Sequence, residues 1–268
     1  MSVVELTVAD GIATVRLNRP EVMNAMSPEM TVKLYECWLK VRDDPAIHVA
    51  ILTGAGDKSF CSGADLALYI PLLTGARQPG DEYDRAVVAD PTIPHKASLR
   101  NFDVGKPVIA AVNGYALAGG MEMLQGVDLR IASTTARFGL REVQRGLIAA
   151  GSSCVRMPRQ IPYVKAMEIL LTGEMFDAQH MLDIGYLNYV VPPEELMPRA
   201  LSIARRIADN GPLAVRVTRA AVRDTINMPE PEALDLEWKM AQTVWDSEDA
   251  REGPRAFFEK RPPRFKGR

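Results

Sequence analysis

The sequence predicts an α/β protein with a buried sheet and a helical C-terminal region. Three observations carry that prediction. Short apolar runs recur, each closed by a glycine turn: residues 47–52 end at Thr53-Gly54, and residues 108–112 end at Asn113-Gly114. Strand, glycine turn and helix in repetition are the mark of a sheet covered by helices. Near the N-terminus, Val4, Leu6 and Val8 alternate, Asp10-Gly11 supplies a tight turn, and Ala13, Val15 and Leu17 alternate again. This is a β-hairpin pattern. Beyond Ser153, helical spacing and helix-stop residues dominate.

Taken in order, Ser27-Pro28 reads as an N-cap and first helical residue, and Met30, Leu34, Cys37, Trp38 and Val41 follow at helical spacing. Residues 107–127 contain a single charge, Glu122, and four glycines. A membrane helix there would hold a carboxylate in hydrocarbon, so the window reads as a buried strand, a turn and a buried helix. Residues 129–132 are a third strand. The stretch 68–97 is rich in Pro, Gly and charge and too long for a plain connection, which predicts a surface excursion with a short helix. Later, residues 166–171 form a helix ending at Gly173, and Phe176-Asp177 opens another that stops at Gly185. The remainder reads as three helices, separated by Asn210-Gly211-Pro212 and Pro229-Glu230-Pro231. With Pro192-Pro193 as the boundary, a core domain spans 1–192 and a helical region 193–268.

The chain has 268 residues, 47% of them apolar and 25% charged. That is enough to bury a sizeable core and excludes a fibre, a disordered tail or a disulfide-stapled miniprotein. The net charge of −2 argues against a general nucleic-acid surface. Cys37, Cys61 and Cys154 are far apart and lack metal spacing. They fit a reducing compartment, and a cytoplasmic location is expected. No targeting segment is read at the N-terminus. His48, His95 and His180 are scattered, so no metal site is expected.

Candidate chemistry gathers at glycine turns. Residues 54–59 fail the phosphate-loop pattern, because Asp57 rather than Gly precedes Lys58. Gly119-Gly120 opening a helix would expose backbone N–H groups able to hold a developing oxyanion, and Ser62-Gly63-Ala64-Asp65 could supply a second donor. On sequence alone each is more often an ordinary turn. Glu122 falls one turn into an apolar helix, where desolvation should raise its pKa. Glu142, beside Arg141 and Arg145, reads on its own as a solvated charge. Spacing alone does not bring these groups together.

The motifs resemble a known family. Leu17-Asn18-Arg19-Pro20 with Asn24-Ala25, then Phe60-Cys61-Ser62-Gly63-Ala64-Asp65-Leu66, resemble the enoyl-CoA hydratases and isomerases of the crotonase superfamily. The run from Lys106-Pro107 through Asn113-Gly114-Tyr115 to Gly119-Gly120-Met121-Glu122 is the most specific match, and Phe138-Gly139, Leu171-Thr172-Gly173 and the ending Phe257-Phe258-Glu259-Lys260-Arg261-Pro262-Pro263 also fit. The resemblance implies a crotonase-like fold of repeated ββα units with a helical C-terminal trimerisation region, assembled as a trimer or dimer of trimers. It implies an acyl-CoA thioester substrate, with coenzyme A part of the substrate and no metal or redox cofactor. The amides of Ala64 and Gly119 match the oxyanion hole. Glu122 and Glu142 match the two glutamates that add water to a 2-enoyl-CoA. Val22, Ala25, Ser62, Asp65, Leu66, Tyr115 and Leu117 match substrate-binding positions, and Phe257 and Lys260 match coenzyme A contacts from a neighbouring subunit.

Two stretches depart from the family pattern. Hydratases follow the second glutamate with a Gly-Pro-Gly-rich turn. Here residues 146–153 replace proline and glycines with alanines and serines, which predicts a different acyl pocket or water site. Residues 68–97 are longer than in compact members and are expected to wall or cover that pocket. An isomerase using one glutamate, or a non-catalytic or RNA-binding member, remains the alternative. Residues 251–268 carry seven Lys/Arg against two acids, which the last of these would use.

Overall fold

The computed structural model describes residues 2–268. In chain order, β1 (Val4–Ala9) and β2 (Ile12–Leu17) form the expected hairpin, with Asp10 and Gly11 both at positive φ. Next comes α1 (Pro28–Asp43), capped by Ser27, whose Oγ accepts from the Met30 amide at 3.1 Å. Then follow β3 (Val49–Gly54), β4 (Ser59–Cys61) and three short helices, α2 (Tyr69–Leu73), α3 (Glu82–Ala89) and α4 (Ile93–Ala97). The middle of the chain supplies β5 (Val108–Val112), β6 (Tyr115–Leu117), α5 (Gly119–Leu124), β7 (Leu129–Ser133) and β8 (Arg137–Gly139). After these come α6 (Ser153–Gln160), α7 (Tyr163–Thr172), β9 (Phe176–Asp177), α8 (Ala178–Asp183) and β10 (Tyr189–Val191). Four helices close the chain: α9 (Leu196–Ala208), α10 (Pro212–Thr225), α11 (Glu230–Trp245) and α12 (Glu248–Phe258).

The strands build two sheets. The larger has the order β1-β2-β3-β5-β7-β10 and is parallel apart from the hairpin. Alternation along its strands divides the core. Val49, Ile51, Ile109, Ala111 and Ile131 face α9, whose Ala200 and Ala204 are fully buried. Ala50, Leu52, Ala110 and Val112 face the other way, toward α1 and the smaller sheet. There Met30, Leu34, Trp38 and Val41 are wholly buried, and the Trp38 indole donates to the Ala97 carbonyl at 2.9 Å. The smaller sheet, β4-β6-β8-β9, lies over this face and contributes Phe60, Cys61 and Phe138 to the same core.

Several expectations are corrected. The expected buried sheet is present and is joined by a second, whose strands of two or three residues are too short to show periodicity in the sequence. The strand expected at 47–52 is displaced to Val49–Gly54. Ile47 is buried in the connection as a core plug, not as a strand residue. Phe176-Asp177 opens the expected helix, with Asp177 capping α8 through the His180 amide, but it first pairs antiparallel with β8 as a two-residue strand. The excursion at 68–97 holds three short helices rather than one, with Tyr69, Leu72 and Val87 forming a small core of their own. The C-terminal region has four helices rather than three. The unrecognised break is at Asp246-Ser247, where the Ser247 hydroxyl accepts from the Ala250 amide.

Candidate active site

The site forms where the two sheets meet. Strand β4 leads into Ser62-Gly63-Ala64-Asp65, which is laced to residues 23–26: the Met26 amide donates to the Gly63 carbonyl, and the Asp65 amide to the Met26 carbonyl. Arg19 locks the outer side of this loop. Its Nη1 donates to the Ala25 carbonyl at 2.6 Å and to the Asp65 carboxylate at 2.9 Å. Burial pushes the Asp65 pKa up, but Arg19 and the amides of Leu68 and Ala67 outweigh it and hold the carboxyl below its usual range. Asn24 is fully buried and ties the same segment inward, donating to the Ala55 and Ser59 carbonyls.

Strand β6 runs beside β4 and ends in the turn that starts α5. Ala118 adopts φ 48 and ψ −126, a strained conformation for a residue with a side chain. The strain aims the next amide, that of Gly119, toward Gly63 and Ala64. The proximity is tight: a Cβ on Gly63 would lie 3.1 Å from the Gly119 nitrogen, and a Cβ on Gly119 would lie 3.9 Å from the Ala64 nitrogen. Among the described residues, neither of these two amides donates to a protein acceptor. Gly120 is what lets α5 come this close, since a Cβ there would fall under 3.0 Å from the Cys61 carbonyl oxygen.

One turn into α5, Glu122 is 7% exposed. Its Oε1 accepts from the Gly151 amide at 2.7 Å and from the Ser153 hydroxyl at 3.3 Å, and the Gln125 amide in turn donates to that hydroxyl. The carboxylate therefore sits at the N-terminal end of α6. Burial, and then the nearby Glu142 carboxyl, push the Glu122 pKa up to about 7 against the partial relief of those hydrogen bonds. Glu142, just beyond β8, is half-buried rather than solvated as its basic neighbours had suggested. Its Oε2 has no hydrogen-bond partner, and burial raises its pKa despite Arg145. Two desolvated carboxyls in mutual electrostatic contact, beside two unengaged amides, can exchange protons with carbons next to a bound carbonyl.

The other expected positions are distributed more widely. Ala25, Ser62, Ala64 and Asp65 belong to the laced loop, with Val22 on the short 3₁₀ turn before it. Leu66 is 69% exposed at its rim. Tyr115 and Leu117 share one face of β6, but Tyr115 is at the end remote from the Gly119 turn. Phe257 is in the last turn of α12 and Lys260 lies two residues beyond its end, and α12 packs on α11. The residues absent from the sequence reading as site formers are Arg19, Asn24, Gly151 and Ser153. A glycine followed by two serines before a helix was the available signal for a carboxylate holder. Among the described residues, no His, Cys, Asp and Glu side chains group as metal ligands, and no helix is long and apolar enough to cross a membrane.

Fold and geometry together set two desolvated carboxyls and two unengaged amides at the junction of the two sheets of an α/β scaffold. The comparisons with known proteins name its family. The profile of the enoyl-CoA hydratase/isomerase family matches residues 7–268. The chain is 42% identical over 266 residues to (E)-benzylidenesuccinyl-CoA hydratase of Thauera aromatica, covering 98% of this chain and 99% of that protein. It is 42% identical over 254 residues to enoyl-CoA hydratase EchA19 of Mycobacterium tuberculosis, covering 95% and 92%. The crystal structure of an enoyl-CoA hydratase from Mycobacterium tuberculosis H37Rv superposes with a TM-score of 0.89 at 35% identity, over the full length of both chains. This protein belongs to the enoyl-CoA hydratase/isomerase family, and its fold is that of the crotonase superfamily.

Proposed function

We propose that this protein adds water reversibly to a 2-enoyl-CoA, giving a 3-hydroxyacyl-CoA. The observation that carries the reading is the paired desolvation of Glu122 and Glu142 beside the free amides of Ala64 and Gly119. In the hydration direction Glu122 takes a proton from water as its oxygen bonds to C3. The electron pair of the double bond moves to the thioester oxygen, which the two amides stabilise. Glu142, whose raised pKa favours the protonated form, delivers its proton to C2. The two carboxyls then exchange the proton they have gained and lost, and no metal or redox cofactor takes part. Losing one oxyanion donor costs about 2.7–4 kcal/mol in such reactions, and each acid–base partner contributes roughly 10²–10⁴-fold.

The exposed apolar side chains of Val222 on α10, Ile226 at its C-terminal cap, and Leu234, Trp238 and Trp245 on α11 support a homo-oligomer built on trimers. Phe257 and Lys260 then serve the coenzyme A of a neighbouring subunit. The three free thiols fit a reducing cytoplasm. Sedimentation showing only a 29.5 kDa species at micromolar concentration would exclude the trimer.

The test of the chemistry is hydration rate and solvent-deuterium incorporation with a short 2-enoyl-CoA, for wild type, Glu122→Gln and Glu142→Gln. Each single change lowers hydration by roughly 10²–10⁴-fold and the double change is little worse, because the two groups act as a unit. A large loss at one position alone, with deuterium exchange but no net hydration, identifies an isomerase instead.

A further inference from the structure

Behind the turn that grips Glu122 lies a cavity of about 480 Å³ that the hydration chemistry does not use. Two distant segments wall it: Arg100 and Asn101, just past α4, and the stretch from Ile148 to Arg156. Ile148 and Val155 give it an apolar side, and no carboxylate lines it. The volume is in the range that suits a small ligand fragment.

Its polar groups are left unanswered. The Arg100 guanidinium forms no ion pair or hydrogen bond with the described residues, while the Arg100 carbonyl is held by Arg156. Arg156 donates to the Leu99 and Arg100 carbonyls at 2.8 and 2.7 Å, which fixes it at the cavity without cancelling its charge. Burial, then the like charges of Arg223 and Arg100, hold its pKa below the usual arginine value. Ser152 is 7% exposed, lines the cavity, and its Oγ has no partner. Its backbone is also strained, at φ 130. A buried hydroxyl without a partner is costly to the fold, and backbone strain at the same residue adds to that cost.

The cavity adjoins the reaction centre through a single residue. Gly151 donates to Glu122, and the next residue, Ser152, forms the cavity wall, about 3.8 Å further along the backbone. We infer that this cavity receives the far end of the acyl group and selects one that carries its own carboxylate, held by Arg100 and the Ser152 hydroxyl. The inference rests on the hydratase reading for the position of the thioester. The charge argument runs on its own. With no acid in its lining, the cavity disfavours an ammonium, and a purely apolar chain would desolvate Arg100 and leave the Ser152 hydroxyl still without a partner.

The experiment compares hex-2-enoyl-CoA, hex-2-enedioyl-CoA and the methyl ester of the latter for turnover. Hexanoyl-CoA and adipyl-CoA are compared for binding by titration calorimetry. Wild type should favour the free carboxylate over the methyl end and the ester by roughly 10–100-fold in kcat/KM, and adipyl-CoA over hexanoyl-CoA in Kd. The preference should fall as salt rises, because Arg100 is exposed. In Arg100→Met the ratio between carboxylate and methyl substrates collapses toward one, and in Ser152→Ala it shrinks. Equal kcat/KM for the three enoyl-CoAs in wild type, or a preference that persists in Arg100→Met, overturns the inference. Carboxylate-selective binding without any hydration would instead count against the hydratase reading and leave the subsite standing.

Discussion

The two sheets of this protein divide its tasks. The larger has strands of five or six residues wherever it is most buried, and it is covered by α1 on one face and α9 on the other. The smaller has strands of two or three residues, yet β4, β6 and β8 each lead directly into a group of the candidate site: the Ala64 loop, the Gly119 turn and Glu142. The difference teaches that regular pairing supplies the rigid base, while short strands held against that base aim backbone amides and carboxyls. Stability should therefore depend on the large sheet through side-chain packing, and the site should depend on the small sheet through backbone spacing.

Gly120→Ala tests the spacing most severely. The added methyl meets the Cys61 carbonyl under 3.0 Å, and neither backbone can yield without moving β4. We expect a loss on the order of 3 kcal/mol, a Tm lower by roughly 6–12 °C, and no measurable hydration. Gly119→Ala, whose Cβ meets nothing nearer than 3.6 Å, is the control and should melt close to wild type.

Glu122→Gln separates stability from chemistry by sign. The folded protein keeps a proton on Glu122 up to about pH 7, whereas the ordinary value is 4.5. The folded state thus binds more protons between those values, and wild-type stability falls as pH rises through that window. Glutamine carries no such penalty. The variant should be more stable than wild type at pH 8, by on the order of 3 kcal/mol, with the gap closing toward pH 4.5. Thermal melts across pH measure it, and a variant less stable than wild type at pH 8 would show that Glu122 is held by more than its hydrogen bonds.

A subtler perturbation is Gly151→Ala. The new methyl would overlap the Glu122 carboxyl, which can swing aside. A displacement of about 1 Å should cost roughly 10²-fold in kcat with only a small change in Tm. The smallest effect belongs to the large-sheet side. Ser27→Ala removes the cap of α1 and should cost about 1 kcal/mol while leaving kcat within error, as urea unfolding and a parallel activity assay would establish.

The same division decided what could be read from the sequence. Val4–Leu17, Val108–Val112 and α1 were legible because length reveals period and because Asp10-Gly11 and Ser27-Pro28 mark their ends. Strands such as Ser59–Cys61 have too few residues to show any period, so the second sheet appeared only in three dimensions. Desolvation of Glu122 followed from its apolar neighbours, but that of Glu142 did not, since Arg141 and Arg145 suggested solvent and the covering groups come from elsewhere in the chain. The family motifs brought Ala64, Gly119 and the two glutamates together on paper. They did not reveal Gly151 or Ser153, because a residue that holds another through one backbone amide leaves little trace in its own identity.

The close approach at Gly120 also sets where this protein can be redesigned. A library randomised at Gly120 would return mostly insoluble members, since the tolerance there is smaller than a methyl group. One confined to Arg100, Ile148, Ser152 and Val155 varies surfaces that border empty space and leaves the aim of the two amides alone. New acyl selectivities should therefore be found at the cavity behind the turn, with the reaction centre inherited unchanged.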